Sequence, residues 1–159
     1  MKRILSGVGI LLIALLVTAC GNDKASNEKV EKDTYVADLQ GAQLEATFYH
    51  VDDNLRKVDQ KMVYPLAYLG LEEGTKVDDA TQKKLEEQVT SQYAGYKDSK
   101  GASLETKFTD KGMELTMSVD LYKADKKSVN SLLAGTTDPK NVSYKDTVSQ
   151  FEAQGYTKK

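Results

Sequence analysis

Cys20 and His50 are the single cysteine and the single histidine of this 159-residue chain, and they bound the chemistry open to it. Cys20 ends the run Leu16-Val17-Thr18-Ala19-Cys20, behind Lys2-Arg3 and an apolar stretch from Ile4 to Val17 that only Ser6, Gly7 and Gly9 interrupt. A thiol becomes a strong nucleophile as its thiolate, and small residues in front of it let a processing enzyme approach the backbone. Such a position suits attachment of a lipid through the sulfur. The other readings are an ordinary secretory signal cut near Ala19, with Cys20 left as a free thiol, or a buried core cysteine. An unpaired thiol in an exported chain invites oxidation, which favours lipid attachment. Once acylated, Cys20 offers no nucleophile for catalysis, and without a second cysteine there is no internal disulfide.

A lone histidine excludes a multi-histidine metal centre and leaves one candidate base for a Ser-His-Asp arrangement. His50 stands close to Asp52 and Asp53, residue types that could together hold a cation weakly. Strand alternation would bring His50 and Asp52 to one face only if the strand continued, and Asp52-Asp53-Asn54 is turn chemistry. The reading is therefore a partly exposed histidine at a strand end, with no metal site and no cofactor assigned. The acid pairs Asp52-Asp53, Glu72-Glu73, Asp78-Asp79 and Glu86-Glu87 read as solvated charge, because adjacent residues diverge. Asp52-Asp53-Asn54 lacks the glycine and terminal glutamate of a calcium loop. Gly70-Leu71-Glu72-Glu73-Gly74-Thr75 lacks the lysine of a phosphate-binding loop, and its acids would repel phosphate. Asn141-Val142-Ser143 matches a glycosylation sequon but reads as the approach to a helix.

Nine tyrosines against three phenylalanines and no tryptophan are the compositional oddity. Tyrosine pairs flat contact area with a polar tip and suits binding surfaces. Tyr49, Tyr64, Tyr68, Tyr93, Tyr96 and Tyr122 fall in or beside the expected sheet–helix interface, most of them as boundary residues of the core. Tyr64, Tyr68, Tyr93 and Tyr96 are the candidate binding surface, and Met62 to Tyr68 is the most apolar part of the chain after residue 20.

The elements that would position these groups follow from periodicity. Leu44, Ala46, Phe48 and His50 alternate with Glu45, Thr47 and Tyr49, the signature of a half-buried strand. After the turn, Val58, Met62 and Tyr64 share one parity up to Pro65, which completes a hairpin. A second hairpin pairs Leu104, Thr106 and Phe108 with Met113, Leu115, Met117, Val119 and Leu121 across Asp110-Lys111-Gly112. Between them, Asp78 or Asp79 caps a helix to about Tyr93, with Leu85, Val89 and Tyr93 on one stripe. Asp125 could open a short helix through Val129, Leu132 and Leu133 to Gly135, and Ser143-Tyr144-Lys145-Asp146 reads as a capping box for a last helix ending at Gly155. The fold class is α+β in the order ββαββαα, with two β-hairpins forming a four-stranded antiparallel sheet and helices packed on one face.

The chain divides into a lipoprotein signal peptide at 1–19, a lipidated Cys20 with a disordered tether to residue 35, and one α+β domain from 36 to 159. The tether is rich in charge and nearly free of apolar side chains, and would hold the domain roughly 20 Å from its lipid. Loss of the signal removes Lys2 and Arg3 and leaves 20 basic against 24 acidic residues. That balance provides neither the basic stripe of a nucleic-acid binder nor a polybasic lipid patch.

The residues before Cys20 resemble the bacterial lipoprotein box, and that resemblance implies a thioether to a diacylglyceryl group and a cut between Ala19 and Cys20. The wider chain resembles the YehR-like lipoproteins: Cys20-Gly21, a charged tether, Glu45-Ala46-Thr47-Phe48-Tyr49 in the first hairpin, a helix ending near Gln92-Tyr93, a hairpin from Leu104 to Val119, and Ala153-Gln154-Gly155-Tyr156 at the close. The resemblance implies an α+β domain of unknown function in a small bacterial lipoprotein, and supplies no catalytic residues.

These readings converge on a non-enzymatic binding or interaction module of the cell envelope. It would be held on the membrane by diacylglyceryl and N-acyl chains on Cys20, face the extracellular or periplasmic side, and meet an envelope protein or ligand, with no nucleic acid as partner. The alternative is a carboxylate-dependent hydrolase of cell-wall or surface polymers, which needs two carboxylates about 5 to 10 Å apart.

Overall fold

The computed structural model describes residues 29–39, 41–97, 99–109, 111–124 and 138–159. The signal peptide, Ala19, Cys20 and the helix expected from Asp125 to Gly135 lie outside the described residues. Within them, the elements are β1 (Glu31–Leu39), β2 (Ala42–Val51), β3 (Asn54–Tyr64), α1 (Asp79–Gln92), α2 (Ala94–Lys97), β4 (Ala102–Thr109), β5 (Gly112–Asp120), α3 (Tyr144–Ala153) and β6 (Thr157–Lys158). Single 3-10 turns occupy Leu66–Leu69 and Pro139–Asn141.

All strands join one antiparallel sheet in the order β4-β5-β3-β2-β1-β6. The two hairpins form as the alternation requires and associate through β3 and β5. The sheet has six strands rather than four. Residues 31–35, read from the sequence as tether, are the first half of β1, whose full length pairs with β2. Charged ends and only Tyr35, Ala37 and Leu39 on its inner parity give β1 the composition of a protected sheet margin. The sixth strand pairs two residues with Tyr35 and Val36, too few to announce themselves by period.

One face of the sheet carries the core. Tyr35, Leu44, Ala46, Phe48, Val58, Met62, Tyr64, Met113, Leu115, Met117 and Val119 share it and are buried, with Val148, Phe151 and Tyr156 packed against them. Val89, Tyr93 and Tyr96 also cover this side, although no residue of α1 is fully buried. On the opposite face charged and hydroxyl side chains pair across strands, including Lys61–Glu114 at 2.8 Å and Ser118 Oγ donating to Asp59 at 2.7 Å.

The end of the sheet where β1 begins is firmly built. A bulge between Tyr49 and His50 shifts the β2–β3 register, so that His50 stays on the core face opposite Leu55. Asp52 turns the chain at φ 50°. Asp53 then reaches α3: its carboxylate accepts the Lys145 amide at 2.8 Å and the Ser143 hydroxyl at 3.2 Å. Ser143 itself caps α3 through the Asp146 amide, as the capping box predicts. Negative charge at a helix N-terminus adds to the favourable cap.

Candidate functional site

Two groups of polar side chains lie on the core side. The first centres on Asp33, which β1 places on the same parity as Tyr35. Lys158 of β6 meets one carboxylate oxygen at 2.6 Å; Tyr144 of α3 donates to the other at 2.6 Å. His50 of β2 brings Nε2 to 3.3 Å from that second oxygen, and its Nδ1 lies 2.8 Å from the Asp52 carbonyl. The His50 and Tyr144 rings stack at 3.6 Å and 9°. The strand-end position is as expected, but His50 is buried, not partly exposed, because Tyr144 covers its face. Asp52 contributes its backbone carbonyl and Asp53 caps α3, so neither carboxylate forms a cation site with His50. Among the described residues, no three His, Cys, Asp or Glu side chains converge in a way that could hold a metal ion.

Chemically this cluster is a clasp. The bond to Lys158 leads the effects that pull the Asp33 carboxyl down to about 2, with the Tyr144 hydroxyl next and His50 adding to them against partial burial. Burial first, and then Asp33, push the Tyr144 phenol up, which keeps it a donor. Four elements are thereby pinned together: β1, β2, α3 and β6.

A pH prediction arises here. A carboxyl lowered on folding contributes stability that is complete above its unfolded value near 3.8 and fades as pH falls through about 2. The shift corresponds to roughly 1–2 kcal/mol after allowance for partial solvent screening. Urea titrations of wild type should lose that amount between about pH 4 and pH 2 relative to Asp33→Asn. Parallel curves for the two proteins would contradict it.

The second group is the tyrosines. Tyr64 and Tyr68 rings lie 5.4 Å apart, and Tyr93 and Tyr96 rings 6.3 Å apart. Tyr64 is buried and its hydroxyl donates to Met62 Sδ at 3.4 Å. Tyr68, Tyr93 and Tyr96 are half-buried against the core. Burial, followed by the neighbouring Tyr93, pushes the Tyr64 phenol up and raises Tyr96 and Tyr156 to about 12. Tyr93 is thus the common neighbour of Tyr64, Tyr96 and Tyr156, and all four of the predicted tyrosines lie on one side of the sheet. Tyr156 is the member that sequence patterning missed, since it follows the glycine that ends α3. At neutral pH phenols in this state are hydrogen-bonding and stacking groups, not bases.

A family described as "Protein of unknown function (DUF1307)" matches residues 31–157, from the first residue of β1 to the first of β6. The chain belongs to this family. It is the YehR-like family of unknown function that the sequence resembles. The NMR structure of the E. coli YehR protein is similar to this chain with a TM-score of 0.64 at 18% identity, over 84% of this chain and 93% of that one. An NMR structure of a protein from Streptococcus pneumoniae TIGR4 is similar with a TM-score of 0.52 at 20% identity, over 91% and 94%. At such identities the likeness shows the fold. Among curated proteins nothing matches this chain.

Proposed function

We propose that this member of the family is a lipid-anchored, non-enzymatic binding module of the bacterial envelope. The reading rests chiefly on the spacing between a lipidation motif and the fold: ten residues separate Cys20 from Glu31, the first residue of β1. Ten residues span at most ~35 Å, so such an anchor keeps the domain at the membrane surface. Two acyl chains hold a protein stably where one does not. Among the described residues no helix is long and apolar enough to cross a membrane. The groups that could have been reactive are engaged with one another, Asp33 with Lys158, Tyr144 and His50. A half-buried set of phenols around Tyr93 favours contact with an envelope protein or ligand instead.

Cells expressing the protein should incorporate labelled palmitate into it and retain it in the membrane fraction. Cys20→Ala should abolish the label and release the domain. Equal labelling of wild type and variant would overturn the anchor.

A further inference from the structure

The sheet gives the domain two poles. Glu31, His50, Asn54 and Asp120 mark one end, where β1 begins and where the Leu121 amide donates to the Arg56 carbonyl at 2.9 Å. Leu39, Ala42, Tyr64 and Met113 mark the other. Nine residues of β1 separate them by ~30 Å.

Among the described residues, the two exposed large hydrophobic side chains are Val30, 53% exposed, and Tyr122, 41% exposed, and both lie at the pole where β1 begins. They flank the sheet end three strands apart, at ~14 Å by strand spacing. Tyr122 does not stand alone. The Arg56 guanidinium lies 4.0 Å from its ring centre, and Lys123 beside it bridges to Asp120 at 3.0 Å. An aromatic ring with a cation on its face, next to a lysine, is a composition found at membrane interfaces. There the ring sits among headgroups while long basic side chains reach for phosphate. Several acids of this pole hold structural bonds: the Asp53 carboxylate caps α3, Asp138 accepts the Lys140 amide, and Asp120 accepts the Tyr122 and Lys123 amides, while Glu31 and Asp52 are exposed.

We propose that this pole rests on the lipid headgroups, with Tyr122–Arg56 and Val30 as its contacts, so that Tyr64 and Tyr68 point away from the membrane. The inference rests on the anchoring reading above. An anchor ten residues away presents the pole to the bilayer at a local concentration of about millimolar. A contact too weak to recruit the free domain therefore suffices to orient the tethered one. The partner committed to is the bilayer surface itself.

The test uses the full lipidated chain in phosphatidylethanolamine–phosphatidylglycerol vesicles carrying a nitroxide on the headgroup. With the Cys20 thiol acylated, a dye is attached to a cysteine introduced by Lys140→Cys at the near pole or Ala67→Cys at the far pole. Both positions are exposed. Quenching should be several-fold stronger at 140 than at 67, and Val30→Ser with Tyr122→Ser should bring the two much closer together. A tether alone gives some bias, so an unchanged ratio in the double variant would overturn the contact, as would equal quenching in the parent. Failure of the chain to stay on vesicles through Cys20 would instead overturn the anchor, and with it this proposal. Val30 and Tyr122 lie at the surface, so the double variant should stay folded, with only the small drop in melting temperature that loss of the Tyr122–Arg56 stack brings.

Discussion

Phe151→Ala should lower the stability of the domain by about 3–5 kcal/mol, the range for removing a large aromatic side chain from a core. Phe151 is fully buried on the inner face of α3. It meets Phe48 at 4.9 Å and 88°, and Tyr156 at 4.8 Å and 63°, edge-to-face contacts on both sides. Such pairs contribute about 0.5–1.5 kcal/mol beyond the area they bury. Phe48 carries the chain of rings on to Tyr35 at 5.6 Å and to Tyr144 at 6.3 Å, and Tyr144 stacks on His50. Truncation at 151 therefore loosens α3 over the whole width of β1 and β2, and with it the clasp on Asp33. A domain of this size has about 5–15 kcal/mol in total, so much of the margin is lost. Urea unfolding should show a midpoint far below wild type with the slope preserved. A loss under 1 kcal/mol would mean that α3 is not integral to the core.

The elements legible in the sequence were those whose pattern is local. Met113 to Leu121 alternates cleanly because β5 is an interior strand with one wet face, and the residues buried are the ones the alternation selects. Asp78 and Ser143 were legible as caps because capping depends on a residue and the amide three positions on. β1 was obscured at its start by Glu31, Lys32 and Asp33, although Tyr35, Ala37 and Leu39 already alternate. β6 is held by what surrounds it: Tyr156 is buried just before it, and Lys158 and Lys159 reach Asp33 and Glu45. The Asp33 cluster could not be read at all, since its members come from positions 33, 50, 144 and 158 on four elements. His50 looked exposed for the same reason. The ring that buries it belongs to a helix 94 positions later. Of the Leu85, Val89, Tyr93 stripe, Val89 and Tyr93 cover the core without being enclosed by it.

Gly112→Ala is the second large effect, and a companion variant isolates its cause. Gly112 begins β5 at φ +130°, a conformation that L side chains rarely adopt, and a methyl group there would stand 2.1 Å from the Tyr64 carbonyl oxygen and 3.0 Å from Pro65 Cα. Both are backbone atoms, so no side-chain rotation relieves the contact. The strand end of β3 or the start of β5 must move, at the point where Tyr64 pairs with Met113 and the chain enters the 3-10 turn carrying Tyr68. Gly41, at φ +89°, has nothing within 4 Å of the same methyl position. Gly41→Ala should therefore cost only the conformational term, about 1–2 kcal/mol. Gly112→Ala adds a steric displacement to a backbone cost of about 1–3 kcal/mol, so its total should reach about 3 kcal/mol or more. Denaturant midpoints for the two variants measure the difference directly. Equal losses would mean that β3 and β5 part without resistance at this corner. A larger loss at 112 ties the geometry of Tyr64 and Tyr68 to a single glycine contact, so that intrinsic fluorescence of the folded variant should shift along with its stability.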